Sequence, residues 1–597
     1  MNNHKRSSTI LLALFFCVTL SKALFAQAQG EFKLEQLIRV DAQPFMTQER
    51  LSHGYFVFRC KIQNLDAKPH KVKLSCPKAA SKSFDLQPGE TINASLPLPV
   101  TNPDFGDDVQ VHADNRKLYT VPCPMRRAIT SHPSHYKSRY VTYSPVDDSI
   151  PNSILICRSL RKRFAEVECI FAEKDCKYWP QDRMDYSCLD FIFLTPAELI
   201  DAPEGVQTAL KQFVLCGGVL WLFECETQKE ALDKIEWVAQ FIKESAPNED
   251  DYSQNLNVTQ YSAGFGVVVL TTGKVSFESH DEQDAADKEI FNELYKIFDS
   301  KPSWFAKNGI NEMQKWFPIV SDLSIPLLGI SIVILLFVIL AGPINMFLLT
   351  LYNKRVLLLV TVPALSFLFA GAILMYVILA DGFNTDVRIS AGSYLDQRSG
   401  TYSSLIQYGI YARTTPRNVV FDSDDELNIS DFSDDDQFNI DWTSGKQVIP
   451  SRFAAVRKPA YYKIRKTGTT RLKLDFDFNG ENSYVVNGLG KDVKQLFVCD
   501  AKGALWKAEN IAAGQKATLS PVDKLDDNKQ SNEPMFRYCI YTSRWDFNEY
   551  SVNIPKKANS LCPGSYIAEF SSSGPFANKG VSYAQEKNSY AFLLGRF

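Results

Sequence analysis

The chain predicts a multidomain membrane protein: a small β-sandwich, a parallel α/β domain, a two-helix transmembrane hairpin and a C-terminal β-rich region. Three observations carry this expectation. Short alternating segments broken by turns fill the region before about residue 145. Strand-like and helix-like runs then take turns as far as about residue 300. Two long uncharged apolar runs follow, and sequence of ordinary polarity resumes at Asp381.

Composition narrows the function classes. The 597 residues are 45% hydrophobic and 22% charged, with 65 Lys+Arg against 68 Asp+Glu. That excludes a disordered or collagenous chain, and a basic nucleic-acid binder, because no charge excess exists to neutralise phosphates. A mean hydropathy of -0.16 is too low for a polytopic carrier, so the membrane part is a minority.

Residues 1–28 read as a secretory signal. Lys5 and Arg6 supply the positive start, Ile10–Leu20 the apolar stretch, and Ala26-Gln27-Ala28 the cleavage site. An uncleaved anchor helix is the alternative; Lys22, which interrupts the apolar run, favours cleavage. Removing the three basic residues Lys5, Arg6 and Lys22 takes the net charge from -3 to -6.

An immunoglobulin-like sandwich is expected over 31–145. Tyr55–Ile62 and Lys71–Cys76 alternate with period 2, with turns at Asn64-Leu65-Asp66 and Pro88-Gly89-Glu90. Cys60 and Cys76 are either a cross-strand disulfide or two buried thiols.

The α/β domain is expected over 150–300. Its strands are Ile154–Cys157, Val167–Ala172, Asp190–Leu194 and Val219–Phe223. Val206, Ala209, Leu210, Phe213 and Val214 form one apolar helical face, with Asp201 and Glu204 at capping-box spacing and Gly217-Gly218 ending the helix. Further helices are expected over Gln228–Lys243 and Asp284–Phe298, and a hairpin over Tyr261–Thr272. Strands alternating with helices predict a parallel sheet.

Residues 301–323 form a juxtamembrane linker with Trp304-Phe305 and Trp316-Phe317, placed for the headgroup layer or for packing on the adjoining domain. The spans are 324–351 and 356–380. Their apolar runs, Ile325–Leu351 and Val356–Leu379, exceed the roughly 20 residues that cross a 30 Å hydrocarbon core. Residues 352–355, with Lys354 and Arg355, read as a cytoplasmic loop. The signal then places both large regions on the exported side of the inner membrane. Without an intramembrane charge, the pair reads as an anchor rather than an ion path.

Leu189–Leu194, then Phe213-Val214-Leu215-Cys216-Gly217-Gly218-Val219-Leu220 and Gly264-Phe265-Gly266-Val267-Val268, resemble the glutamine amidotransferase-like superfamily, in particular its non-catalytic branches. That resemblance implies a flavodoxin-like α/β fold. Gly342-Pro343-Ile344-Asn345 and Val362-Pro363 further resemble a bacterial family of two-span exported membrane proteins. Membership implies an N-terminal sandwich, an amidotransferase-like domain, the hairpin and a C-terminal β-region, with no established activity.

Active superfamily members carry a nucleophilic Cys on a strand-to-helix elbow with His and Glu partners. The candidates here are Cys216, His280 and Glu282. Cys216 stands at a helix end, the opposite polarity, so the expectation is a non-catalytic domain. Cys176 and Cys188 bracket a loop and are candidates for a disulfide. The cysteines show no zinc spacing and the glycines no dinucleotide fingerprint, so no cofactor is expected.

Strands are expected in 381–597 at Asp386–Ser390, Ser404–Tyr411, Asn418–Phe421, Thr470–Phe476, Ser483–Val486 and Gln495–Cys499. Gly514-Gln515 resembles the turn at Gly89-Glu90, which suggests a second sandwich. Phe421–Trp442 holds nine acidic residues, among them Asp424, Asp434 and Asp436 as candidate calcium ligands. Their spacing fits no EF-hand; a solvated loop is the default expectation, and the basic residues that follow, including Lys463, Arg465 and Lys466, make local charge balance another. Asp523–Glu533 reads as a polar, flexible stretch. The expected role is a membrane-anchored scaffold or binding component. Its partners are the bilayer and other envelope or membrane proteins. A degenerate envelope hydrolase and an accessory subunit of a transporter are the alternatives.

Overall fold

The computed structural model describes residues 38–42, 54–77, 79–99, 108–121, 139–143, 167–171, 176–189, 191–223, 225, 229–244, 258–271, 317–320, 327–352, 355–382, 384–416, 418–428, 439–450, 454, 456–522, 561 and 563–597. The signal segment, the strand expected at Ile154–Cys157, the helix at Asp284–Phe298 and the stretch Asp523–Glu533 lie outside these residues.

The first strands are β1 (Ile38–Ala42), β2 (Tyr55–Asn64), β3 (His70–Cys76), β4 (Ala80–Leu86), β5 (Thr91–Pro99), β6 (Val109–Ala113) and β7 (Arg116–Val121). One sheet has the order β1-β2-β5, and the other strands run β4-β3-β6-β7 within a second. The period-2 pattern sets the faces: Val72, Leu74 and Cys76 of β3 are buried, while Lys71 and Lys73 point to solvent. The β6–β7 turn is Asp114-Asn115, both residues at positive φ (48° and 67°), as a primed hairpin turn requires.

The parallel sheet contains β8 (Arg139–Tyr143), β9 (Val167–Phe171), β10 (Phe191–Leu194), β11 (Val219–Leu222), β12 (Val258–Ala263) and β13 (Gly266–Thr271). Its order is β9-β8-β10-β11-β13-β12, with β12 the antiparallel edge. The crossover at β8/β10 is the reversal of a flavodoxin-like sheet. Arg139–Tyr143 therefore belongs to this sheet and not to the sandwich expected over 31–145. Helices α1 (Pro196–Asp201), α2 (Glu204–Leu215), α3 (Lys229–Lys234) and α4 (Glu236–Glu244) accompany it. The capping box is one helix earlier than its spacing suggested: Thr195 and Glu198 cap α1 reciprocally, whereas α2 starts after Pro203 with no side-chain cap. The helix expected over Gln228–Lys243 is split at Ile235 into α3 and α4.

Two apolar helical stretches follow, long enough to cross a bilayer: Ser331–Leu351 and Arg355–Met375, with mean hydropathies of 2.7 and 2.4. The first consists of α5 (Leu327–Ile339), a π-helical turn at Leu340–Ile344 and α6 (Asn345–Leu351); the second is mostly α7 (Leu358–Asp381). Pro343 lies inside the π turn, where its missing N–H removes a ladder bond. The Asn345 side chain donates to Thr361 Oγ1 at 2.9 Å and ties the helices together.

Beyond α7 come β14 (Thr385–Asp396), β15 (Thr401–Ala412), β16 (Asn418–Phe421), β17 (Glu426–Asn428), β18 (Ile440–Asp441), β19 (Gln447–Pro450), β20 (Pro459–Thr469), β21 (Leu474–Asp477), β22 (Tyr484–Asn487), β23 (Val493–Cys499), β24 (Leu505–Ile511), β25 (Lys516–Thr518), β26 (Ser520–Val522), β27 (Ser565–Phe570), β28 (Gln585–Glu586) and β29 (Tyr590–Arg596). A ten-stranded sheet runs β17-β20-β15-β14-β29-β27-β23-β24-β26, with β28 on β14. A separate three-stranded sheet runs β21-β22-β25.

This region holds a second sandwich with the pairing scheme of the first. β21-β22-β25 repeats β1-β2-β5, and β24-β23-β27-β29 repeats β4-β3-β6-β7. The remaining strands bridge the two copies. β14, β15, β20 and β17 extend the second copy, while β16, β19 and β18 extend the first, β18 lying parallel to β4 through Ile440↔Ala80 and Asp441↔Ser81. Strands from before and after the apolar helices thus share one sheet and one buried core that includes Phe58, Leu74, Tyr408, Phe421 and Tyr566.

Both ends of the helical pair are tied to the same bridge. Phe317 and Ile319, ahead of α5, pack on Tyr411 and Tyr461. Arg388 donates to the Pro318 carbonyl at 2.8 Å and holds its guanidinium 4.5 Å from the centre of the Phe317 ring. Phe317 takes neither the headgroup layer nor the adjoining α/β domain expected for it, and packs instead on the C-terminal sheet. Trp304, Phe305 and Trp316 lie outside the described residues.

Candidate site at the junction of the modules

Cys216 is the C-cap of α2, followed by Gly217 at φ +108°, as the helix-stop pattern predicts. It precedes β11, so it lies at the amino end of the parallel strands. Ligands and elbow nucleophiles in such sheets belong to the carboxyl ends. Its thiol is buried and donates to the Lys466 carbonyl at 3.7 Å. Burial raises its pKa, and the nearby cations Arg183 and Arg465 only partly oppose that. A protonated, hydrogen-bonded thiol is not a nucleophile. His280 and Glu282 lie outside the described residues.

Cys225, at the carboxyl end of β11, is no better placed for chemistry. Burial pushes its thiol up to about 11, and it donates to the Leu222 carbonyl. Cys60 and Cys176 are free thiols, so neither the Cys60–Cys76 nor the Cys176–Cys188 disulfide forms. Burial pushes the Cys60 thiol up to about 12.

What gathers around Cys216 is a buried ionic network that the sequence did not announce. The short 3-10 turn Arg183–Tyr186 brings Arg183 and Asp185 out of the α/β module. Arg183 donates to Glu426 at 3.0 Å and to the Asp424 carbonyl at 2.6 Å. Arg465 of β20 holds the same carboxylate from the other side at 2.9 and 2.6 Å, and donates to the Ser187 carbonyl. Glu426 is fully buried, and both arginines nearly so. Two guanidiniums on one carboxylate form a charge-assisted arrangement that satisfies its lone pairs.

The first sandwich enters from β2. Arg59 pairs with Asp185, whose carboxyl burial raises to about 6 despite that partner. The Tyr55 N–H donates to Ser187 Oγ at 2.9 Å, and its hydroxyl donates to Gln447 at 2.9 Å. Gly54, at φ +74°, makes this approach possible: a Cβ there would sit 2.4 Å from the Ser187 carbonyl oxygen.

The acidic segment closes the network. Asp422, Asp424 and Asp425 bring carboxylate oxygens within 4.8 Å of one another. Lys466 Nζ lies 2.5 Å from Asp422 and 3.1 Å from Asp425, so an ammonium stands where a cation would. Of the calcium candidates, Asp424 is half-buried at the rim, and Asp434 and Asp436 lie outside the described residues. Charge balance is the arrangement found, made by Arg465 and Lys466 within the long strand β20.

Above the network an open cleft of about 380 Å3 is lined by residues that include Asp182, Arg183, Gln212, Tyr402, Asp424 and Thr469. A second hollow of about 540 Å3 adjoins it, sharing Tyr402 and Thr469. Tyr402 stacks on Phe576 with ring centroids 4.2 Å apart, and burial pushes its phenol up to about 12.

Comparison of the sequence with family models and with curated proteins finds no match. The class the fold defines is therefore architectural: two β-sandwiches, a doubly wound α/β module and a pair of long apolar helices.

Proposed function

We propose that the chain is a membrane-anchored scaffold or binding component of the cell envelope, held in the inner membrane by a two-span hairpin with both large regions exported. One observation carries the reading. β18, from beyond the apolar helices, pairs with β4, from before them, so both regions have to occupy one compartment to fold. Two spans returning the chain to its starting side satisfy that requirement. The expected amidotransferase-like, non-catalytic identity of the α/β domain is supported by its flavodoxin-like strand order and by the buried Cys216 thiol. The hydrolase alternative loses its nucleophile on the same grounds.

Reporter fusions test the topology. Alkaline phosphatase joined after residue 300 and after residue 597 is expected to be active, and a fluorescent protein inserted at the 352–355 loop is expected to fold in the cytosol. Inactive phosphatase at either position overturns the reading. A thiolate-directed probe adds a second arm: selective labelling of Cys216 in the native protein would restore the hydrolase.

A further inference from the structure

We infer that the cleft between α2 and β20 binds a neutral, hydroxyl-rich ligand, an oligosaccharide segment. The inference deepens the binding-component reading and rests on it. At about 380 Å3, with the adjoining 540 Å3 hollow, the space falls within the ~300–1,000 Å3 of small-molecule sites. The cleft itself has a largely polar lining, and the adjoining hollow adds Leu472, Pro575, Phe576 and Ala577, which directs the space to a ligand with polar edges and apolar faces.

Gln212, Tyr402, Asp424 and Thr469 line this space, and none of the four has a hydrogen bond from its polar side-chain atoms to another described residue. Carboxylate, amide and hydroxyl groups together accept from and donate to vicinal hydroxyls.

Charge excludes the main competitors. Of the basic side chains along the two lobes, Arg183 shares the Glu426 carboxylate with Arg465, Lys466 lies on Asp422 and Asp425, and Lys579 lies 3.6 Å from Glu586. With the Asp182 and Asp424 carboxylates added at the rim, acidic groups outnumber basic ones around the space, which disfavours an anion such as phosphate. An apolar ligand finds only the Tyr402 ring in the first lobe. Two lobes meeting at Tyr402 and Thr469 suit an extended ligand of linked rings.

The test uses the full chain in lipid nanodiscs, free of sugar-headed detergent, titrated with chitotriose and with maltotriose and followed by saturation-transfer NMR. Saturable binding of at least one trisaccharide is expected, weakened about tenfold or more by Gln212→Ala and by Asp424→Ala, a loss of about 1.4 kcal/mol. Near-UV circular dichroism checks that both variants stay folded. Binding that survives both substitutions overturns the proposal, as does no binding of either sugar at about 10 mM. Spermidine binding in place of sugar also overturns it, because the rim carboxylates would then select a cation. None of these outcomes touches the scaffold reading, which stands or falls on the fusions.

Discussion

The two sandwiches share a pairing scheme and differ in what closes them. In the first, Asn64 at the end of β2 is fully buried, and its side-chain amide donates to the carbonyls of Lys68, Leu86 and Gln87. In the second, Asn487 at the end of β22 is fully buried and donates to the carbonyls of Lys491, Ile511 and Ala512. The backbone bonds match as well: Gly89 N–H donates to Asn64 O, and Gly514 N–H to Asn487 O. One asparagine thus joins three chain segments that hydrophobic patterning alone would leave in loose register. Around this common seam the edges diverge. The fourth strand of the first copy, β4, is covered by β18 from beyond the two apolar helices, whereas β24 of the second is covered by its own neighbour β26. A repeat preserves what holds its own sheets together; the edges answer to whatever lies beside them.

The largest expected effect comes from the charges that bind the first copy to its surroundings. Glu426→Gln leaves Arg183 and Arg465 buried without their carboxylate, a change that typically costs 3–5 kcal/mol. Hydrogen exchange is expected to rise in β2 and β3 well before β22 and β23. Equal acceleration in both copies would mean that the network supports the whole fold and not the first copy in particular.

Removing the seam itself is expected to cost less and to act alike in both places. Asn64→Ala and Asn487→Ala each orphan a set of buried carbonyls, for about 1–3 kcal/mol apiece. Urea unfolding of the two variants checks this. A much smaller loss for one of them would show that its copy holds the turn by other means, the edge strands being the first place to look.

The repeat was half legible in the sequence. Gly89-Glu90 and Gly514-Gln515 announce equivalent turns, yet Asn64 itself reads as a turn residue, because asparagine at a strand end ordinarily serves a local Asx turn. It makes that turn, accepting from the Asp66 N–H at 2.9 Å, and Lys68 lies in the same loop; only the Leu86 and Gln87 carbonyls come from a segment that local pattern does not connect. β20 is not among the expected strands: Arg465 and Lys466 read as charge balance for the acidic segment, which they supply to Glu426, Asp422 and Asp425, but the strand that presents them is set by tertiary pairing with β15 and β17. β18 is two residues long and has no periodicity to read. Cys216, by contrast, was legible, since a helix stop is written in adjacent glycines.

The smallest expected effect separates the copies by pH. His70, at the start of β3, lies 2.7 Å from Asp114 and 2.9 Å from Asp66; the position equivalent in the second copy, counted from the buried asparagine, is Val493. Burial disfavours the charged ring, but the hydrogen bonds it donates to the two carboxylates outweigh that and raise the His70 pKa above its ordinary value of about 6.5. The folded state therefore keeps a proton that the unfolded chain releases. That contribution to stability is fully present below the unfolded pKa and is lost as pH rises through the folded one. Asp185 and Asp425, each raised to about 6 by burial, also favour the folded state as pH falls from about 6 towards 4, so whole-protein stability mixes the two signals. The difference between the wild type and His70→Val isolates the histidine, because both chains carry the same aspartates. The stability gap between them is expected to shrink as pH rises from about 6 to about 9, with exchange in β22 and β23 unchanged throughout. A gap that stays constant over that range would make His70 a packing residue, equivalent in role to Val493.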